Sequence, residues 1–236
     1  MKLAPIKNVT KFLSTLQQLD VSGDRMVLCY GPPGMGKTVT AAATYARENG
    51  ILLRMLAGMS QKALLRKIFK EFGQTVTHGT NGEVLEQLIE TMAAAGRPLY
   101  IDEADRLFER KALFETVRDI HDVAAIPVIM LGASSSAGFV GVDRHMKRYP
   151  QMADRVSHWV EFEGADGEDL LALIEHYAPH LALGDDLQER ILRESGGNIR
   201  RIKAAIKKCS VLAKRRKVEN LDLRDFGKNP TILKAS

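Results

Sequence analysis

The segment Gly31-Pro32-Pro33-Gly34-Met35-Gly36-Lys37-Thr38 constrains this chain more than any other stretch. It fits the pattern G-x-x-x-x-G-K-[ST], for which a chance match in a chain of this length is on the order of one per cent. Glycines at 31, 34 and 36 let backbone N–H groups turn inward around a polyphosphate. A helix starting at Lys37 aims its positive end at the same anion. Lys37 supplies a point charge for the β and γ phosphates, and the Thr38 hydroxyl can ligate Mg2+. The candidate nucleotide contacts are therefore these eight residues and Val39, which follows them. The context is the required one, with an apolar run at 25–30 before the loop and an alanine-rich helix at 37–48 after it.

Short apolar runs at 25–30, 51–56, 98–102, 126–132 and 157–162 read as strands. Helical patterns fall between them. The first covers 6–19, with a turn at 20–24. The third, through residue 72, is capped by Ser60 and ended by Gly73. A polar loop fills 73–80. Asn81 is expected to cap the next helix, to residue 95, and another covers 107–122. Trp159, in an alternating run, reads as core. Strands alternating with helices predict an α/β fold, a five-stranded parallel sheet covered on both faces. After residue 164 the strand signals stop. Helices are predicted at 167–177, 185–194 and 199–216. The expected division is an α/β nucleotide-binding domain over 1–163 and a small helical lid domain over 164–236.

A second motif lies about 65 residues beyond the first. Leu99-Tyr100-Ile101 ends in two acids, Asp102 and Glu103. A carboxylate at a strand end beside the phosphates can hold Mg2+, and Asp102 takes that role. Glu103 faces the other side of the strand end and can polarise an attacking water.

Composition narrows the classes. The formal net charge is +5, but residues 200–236 hold 12 of the 34 Lys and Arg and only 3 of the 29 Asp and Glu, a local balance of +9. That points to a polyanion or an acidic partner protein. The longest mostly apolar stretch, 124–133, is about half of a membrane span. The N-terminus has no secretory apolar core. Two cysteines, Cys29 and Cys209, exclude a disulfide scaffold or zinc module and point to a reducing cytoplasm, bacterial or that of a phage's host. The six histidines show no metal-ligand spacing.

With both motifs in place, the chain resembles the AAA+ ATPases over nearly its whole length. The resemblance implies ATP as substrate, Mg2+ as cofactor and hydrolysis to ADP and phosphate. It also suggests further residues. Ser134 falls where the family keeps a polar residue that orients the water, with Ala133 where an Asn is often found. A serine hydroxyl still donates one hydrogen bond. Arg155, in Met152-Ala153-Asp154-Arg155-Val156, matches the arginine offered to a neighbouring subunit, with Arg144 and Arg148 in reserve. The alternative is a surface pair of Arg155 with Asp154 or Glu161. Arg200, in Ser195-Gly196-Gly197-Asn198-Ile199-Arg200, matches the nucleotide-sensing arginine.

Within the superfamily the order of segments resembles the transposition ATPases, namely the Mu-type phage B protein and the TnsC and TniB regulators. The similar segments are the phosphate loop after Tyr30, the helix ending in FKEFG, IDEAD, IPVIMLG, MADRV and GGNIRRIKAAIKKCSVLA. This implies a homo-oligomer, ring or helical filament, on duplex DNA, and a transposase partner. The helix-turn-helix module of the Mu protein is not expected in the short stretch before the first strand. Lys62, Arg66 and Lys70 form one stripe of a helix, with Lys67 beside it, and are candidate phosphate-backbone contacts. The alternatives are a replication initiator or loader and a non-hydrolysing nucleotide-dependent scaffold.

Overall fold

The structure is a computed structural model that describes residues 2–22, 25–75, 78–227 and 232–233. Its elements run α1 (Lys7–Ser22), β1 (Met26–Gly31), α2 (Lys37–Thr44), β2 (Ile51–Arg54), α3 (Gln61–Lys70), α4 (Asn81–Ala95) and β3 (Leu99–Asp102). A 3-10 turn (Ala104–Glu109) leads to α5 (Lys111–Ala124), β4 (Val128–Ala133), α6 (Val142–Lys147), α7 (Pro150–Ala153) and β5 (His158–Glu161). Then come α8 (Gly167–Tyr177), β6 (Ala182–Leu183), α9 (Asp185–Ser195), α10 (Ile199–Arg216), β7 (Asn220–Leu221) and a second 3-10 turn (Leu223–Phe226). Among the described residues, no helix is long and apolar enough to cross a membrane.

By contacts the chain clusters into two compact units, one of residues 14–31 and 37–161, the other of 1–13, 32–36 and 162–236. The first unit holds a five-stranded parallel sheet in the order β2-β3-β4-β1-β5. Alternate residues go to opposite faces. Met26, Leu28, Ile51, Leu53, Leu99, Ile101, Val128 and Met130 share a core with Leu64, Leu65, Ile68 and Phe69 of α3, Val84, Leu88 and Met92 of α4, and Val117 and Ile120 of α5. The intervening Val27, Cys29, Tyr100, Ile129 and Leu131 are also buried. Both faces are dry, which is why the strands read as continuous apolar runs rather than alternating ones.

Several boundaries differ from the sequence reading. Thr80, not Asn81, caps α4. Its hydroxyl accepts from the Glu83 N–H at 3.3 Å and Glu83 accepts from the Thr80 N–H at 2.8 Å, a reciprocal capping box. The expected helix at 107–122 divides at Arg110, whose extended backbone separates the 3-10 turn from α5. The first helix runs on through Asp20 to Ser22, and the remainder of the expected turn, residues 23–24, lies outside the described residues. So do residues 76–77 of the expected loop. Trp159 is half-buried, because β5 is an edge strand; its ring meets Tyr30 edge-on at 6.2 Å.

The second unit packs α8, α9 and α10 around Leu170, Leu173, Leu187, Ile191, Ile202, Ile206 and Cys209. Strand structure does not stop at 164: β6 and β7 pair in parallel. Ala4, Ile6 and Val9 join this core. The Lys7 backbone N–H donates to the buried Asp169 carboxylate at 2.8 Å, fixing the start of the chain to α8.

Gly141 illustrates how tightly the end of β4 is packed. A Cβ there would lie 2.3 Å from the Ala133 carbonyl oxygen and 2.4 Å from Ser134 C. Both obstacles are backbone, so nothing cheap can move. We expect Gly141→Ala to lower unfolding free energy by about 1–3 kcal/mol or more. Gly167, in the first turn of α8 with open space around it, should tolerate alanine, with a change between neutral and about 1 kcal/mol stabilising. Urea unfolding of the two variants checks the contrast.

Candidate functional site

Three strand ends meet at the carboxyl edge of the sheet. Gly31 of β1 lies opposite Ala133 of β4, and Asp102 of β3 lies opposite Leu131. The Gly31 carbonyl accepts two hydrogen bonds, from Lys37 Nζ at 2.6 Å and from the Ser134 N–H at 3.1 Å. Lys37 is the first residue of α2, so its side chain folds back over its own loop. Burial pushes the Lys37 ammonium below its ordinary pKa, against the opposing pull of Asp102, Glu103 and Asp105. An added anion would favour the charged form further.

One residue on, Thr38 Oγ1 donates to Asp102 Oδ1 at 3.0 Å. Asp102 is only 5% exposed. A hydroxyl and a carboxylate side by side form a hard-oxygen donor pair. They fit Mg2+, which takes one or two protein oxygens and completes its octahedron with phosphate oxygens and water.

Glu103 follows at the strand exit in a left-handed conformation, φ 57° and ψ 42°. This is uncommon for a residue with a Cβ and is concentrated at functional sites. Its carboxylate pairs with Arg54 Nη2 at 3.2 Å. Arg54 ends β2, opposite Asp102. The side chains are 64% and 36% exposed, so the pair is worth at most about 1 kcal/mol and is easily exchanged. Sequence reasoning missed Arg54. The signal was a basic residue ending the second strand, but its meaning required knowing that β2 lies beside β3. The same holds for Asp105, whose Oδ1 accepts from the Ala133 N–H at 3.3 Å.

Ser134 stands directly after β4, tied to Gly31 through its backbone. Its neighbour Ser135 serves the local structure, since its hydroxyl donates to Asp143 at 2.9 Å and accepts from the Gly141 N–H at 2.9 Å. Arg155 is engaged by its own unit, with neither Asp154 nor Glu161 as hydrogen-bonding partner. Its Nε lies 2.6 and 2.8 Å from the two Asp122 oxygens, and Nη2 lies 2.5 Å from Oδ2. Arg144 and Arg148 are exposed and make no ion pair among the described residues. On α3, Lys62, Arg66 and Lys70 are exposed on the side away from Leu64, Leu65, Ile68 and Phe69. Lys67 is used locally, donating to the Arg54 carbonyl at 2.8 Å.

In the second unit, residues 32–36 lie against the start of α10. Asn198 Nδ2 donates to the Pro33 carbonyl at 2.8 Å, and the Arg200 N–H donates to the Gly34 carbonyl at 3.2 Å. Arg200 itself is exposed. Gly34 and Gly36 have φ of 88° and 91°, the left-handed region that favours glycine.

Residues 19–138 match the family model described as an AAA domain, and the chain belongs to that family. Among solved structures it is similar to RuvB of Thermotoga maritima, a Holliday junction branch migration motor, with 21% identity and a TM-score of 0.57 over 93% of this chain and 66% of that one. It is also similar to the Aeropyrum pernix Orc1 protein, solved in complex with DNA, with 19% identity and a TM-score of 0.58 over 95% of this chain and 64% of that one. At such identities the likeness establishes the fold. The chain spans about two thirds of the length of these proteins.

The Arg155 clamp has a pH signature. The guanidinium beside Asp122 holds its carboxyl below the ordinary value of 3.8. A depressed carboxylate stabilises the fold above its unfolded pKa, and the contribution fades as pH falls through the lower folded value. We expect Asp122→Ala to cost no more than about 1 kcal/mol at pH 7, since both partners are about one-third exposed. The gap from the parent protein should narrow only below pH 3.8, as read from urea midpoints across pH.

Proposed function

We propose that this protein is a Mg-ATP-dependent AAA+ ATPase that assembles on duplex DNA and regulates transposition, delivering target DNA to a transposase and activating it. The contact that carries the nucleotide half of this reading is Thr38 Oγ1 to Asp102 Oδ1, with Lys37 before it and Glu103 after it in the respective motifs. The wider family match and the sequence order of the transposition ATPases support the rest. The division at 163/164, separating a nucleotide-binding domain from a lid with a basic terminal helix, belongs to the same reading.

Each side chain has a definable role. Lys37 exchanges the Gly31 carbonyl for the β and γ phosphates of ATP. Thr38 and Asp102 hold the magnesium ion, which would neutralise charge on those phosphates. Glu103 leaves Arg54 and accepts a proton from the attacking water, while Ser134 orients that water. Arg155, released from Asp122, completes the site of a neighbouring subunit, and Arg200 senses the nucleotide. Hydrolysis then weakens the contacts that nucleotide made between protomers. ATP is thus a switch on assembly.

Lys62, Arg66 and Lys70 give a non-sequence-specific, salt-sensitive grip on DNA phosphates. The structural likeness to an Orc1 protein solved with DNA supports a DNA partner, and equally favours a second reading as an initiator or loader. Ala133 in place of the family's Asn favours a third, a scaffold that binds nucleotide without turnover. A reducing cytoplasm agrees with two buried free thiols, Cys29 and Cys209. Burial pushes the Cys209 thiol up to about 11.

Lys37→Ala should abolish binding of a fluorescent ATP analogue. Glu103→Gln should bind it normally yet turn ATP over about a hundredfold or more slowly. Unchanged turnover in Glu103→Gln would remove the assigned base, and no turnover in the parent protein with or without DNA would favour the scaffold. For the DNA contact, replacing Lys62, Arg66 and Lys70 together by alanine should weaken duplex binding irrespective of sequence. It should also reduce the salt slope by about one per residue removed.

A further inference from the structure

The phosphate loop is held from behind by two asparagines far apart in sequence. Three successive carbonyls of the loop have hydrogen-bond donors. Pro33 O accepts from Asn198 Nδ2 at 2.8 Å, Gly34 O from the Arg200 N–H at 3.2 Å, and Met35 O from Asn8 Nδ2 at a longer 3.4 Å. The peptides of the described chain are trans. In a trans peptide the N–H of the next residue points opposite to the carbonyl. Fixing the carbonyls of 33, 34 and 35 on one side therefore sends the N–H groups of Gly34, Met35 and Gly36 to the other. Glycines at positive φ on either side of Met35 supply the backbone conformation that an anion nest requires.

Each amide has a partner on both its oxygen and its nitrogen, which fixes its orientation. Asn198 Oδ1 accepts from the Arg201 N–H at 3.2 Å, capping α10, so Nδ2 is the group that faces Pro33. Asn8 Oδ1 accepts from the Glu163 N–H at 3.1 Å, while Nδ2 donates to Glu163 O at 2.8 Å as well as reaching Met35 O. Each position needs a donor and an acceptor on one short side chain. Aspartate lacks the donor and serine lacks the reach. The fit is tight, since a Cβ on Gly34 would lie 2.5 Å from the Asn198 amide.

We propose that Asn198 and Asn8 are positioning residues of the phosphate site: they hold loop carbonyls outward and so aim the N–H groups of residues 34–36 at the nucleotide phosphates. This rests on the reading of residues 31–38 as a polyphosphate site. It also gives the residues before Arg200 a role besides presenting that arginine.

The informative substitution is Asn198→Ser. Serine caps a helix as well as asparagine does, is uncharged, and is too short to reach Pro33 O. Helix stability is preserved while the clasp is opened. Binding of Mg-ATP and Mg-ADP is measured by fluorescence titration for the parent protein, Lys37→Ala, Asn198→Ser and Asn8→Asp, alongside nucleotide-free melting curves and competition by inorganic tripolyphosphate. We expect Asn198→Ser to melt with the parent protein. It should bind both nucleotides and tripolyphosphate about tenfold more weakly, the cost of ordering about one loosened loop residue on binding. Asn8→Asp, which keeps the acceptor for Glu163 but loses the donor, should weaken binding in the same direction. Parental affinity in both variants, with Lys37→Ala inactive, would overturn the clasp and leave the phosphate site standing. Failure of the parent protein itself to bind would overturn the phosphate site and the clasp with it.

Discussion

A single carbonyl oxygen ties the sheet to the chemistry. Gly31 O accepts from Lys37 Nζ and from the Ser134 N–H, and so joins the end of β1, the start of α2 and the residue after β4. Because β1 and β4 are adjacent and parallel, the two strand ends are brought level, and Asp102 on the neighbouring β3 falls beside Thr38. The geometry of the candidate site follows from register. Shifting β3 by one residue would turn Asp102 to the other face of the sheet and separate it from the threonine.

The charged groups of the candidate site rest on local partners, Lys37 and Glu103 at this edge and Arg155 before β5, at the opposite, amino end of the parallel strands. Lys37 is bonded to a carbonyl, Glu103 to an exposed arginine and Arg155 to Asp122. The Glu103 and Arg155 pairs are partly exposed, unlike a deeply buried ion pair, for which loss of one partner would cost several kcal/mol. A site whose functional side chains rest on modest local contacts can hand them to a ligand or a neighbour with little penalty. Asp102 is different. It is buried and accepts from Thr38, a fixed position that suits the metal-holding role proposed for it.

Much of this was legible in the residues. The five apolar runs placed the sheet, and the loop glycines and the two acids after LYI marked the candidate site that its strand ends bring together. The ends of α10 were readable because Asn198 caps it and Ile199, Ile202, Ile206 and Cys209 keep helical spacing. What escaped was long-range or very short. Two-residue strands such as β6 and β7 carry no periodicity, and the short α6 and α7 offer too few residues to establish a helical pattern. Arg54, Asp122 and Asp143 matter through partners that only strand order or helix packing brings near. The attachment of the start of α1 to α8 includes a backbone N–H meeting a side chain 162 positions away, for which no local rule exists.

Nucleotide state is the proposed control on assembly, and sedimentation velocity of the protein with a short duplex tests it most directly. The three conditions are Mg-ATP, Mg-ADP and no nucleotide. Large protein–DNA particles should form in Mg-ATP, with only small species in the other two. Particles of the same size in all three conditions would contradict that control.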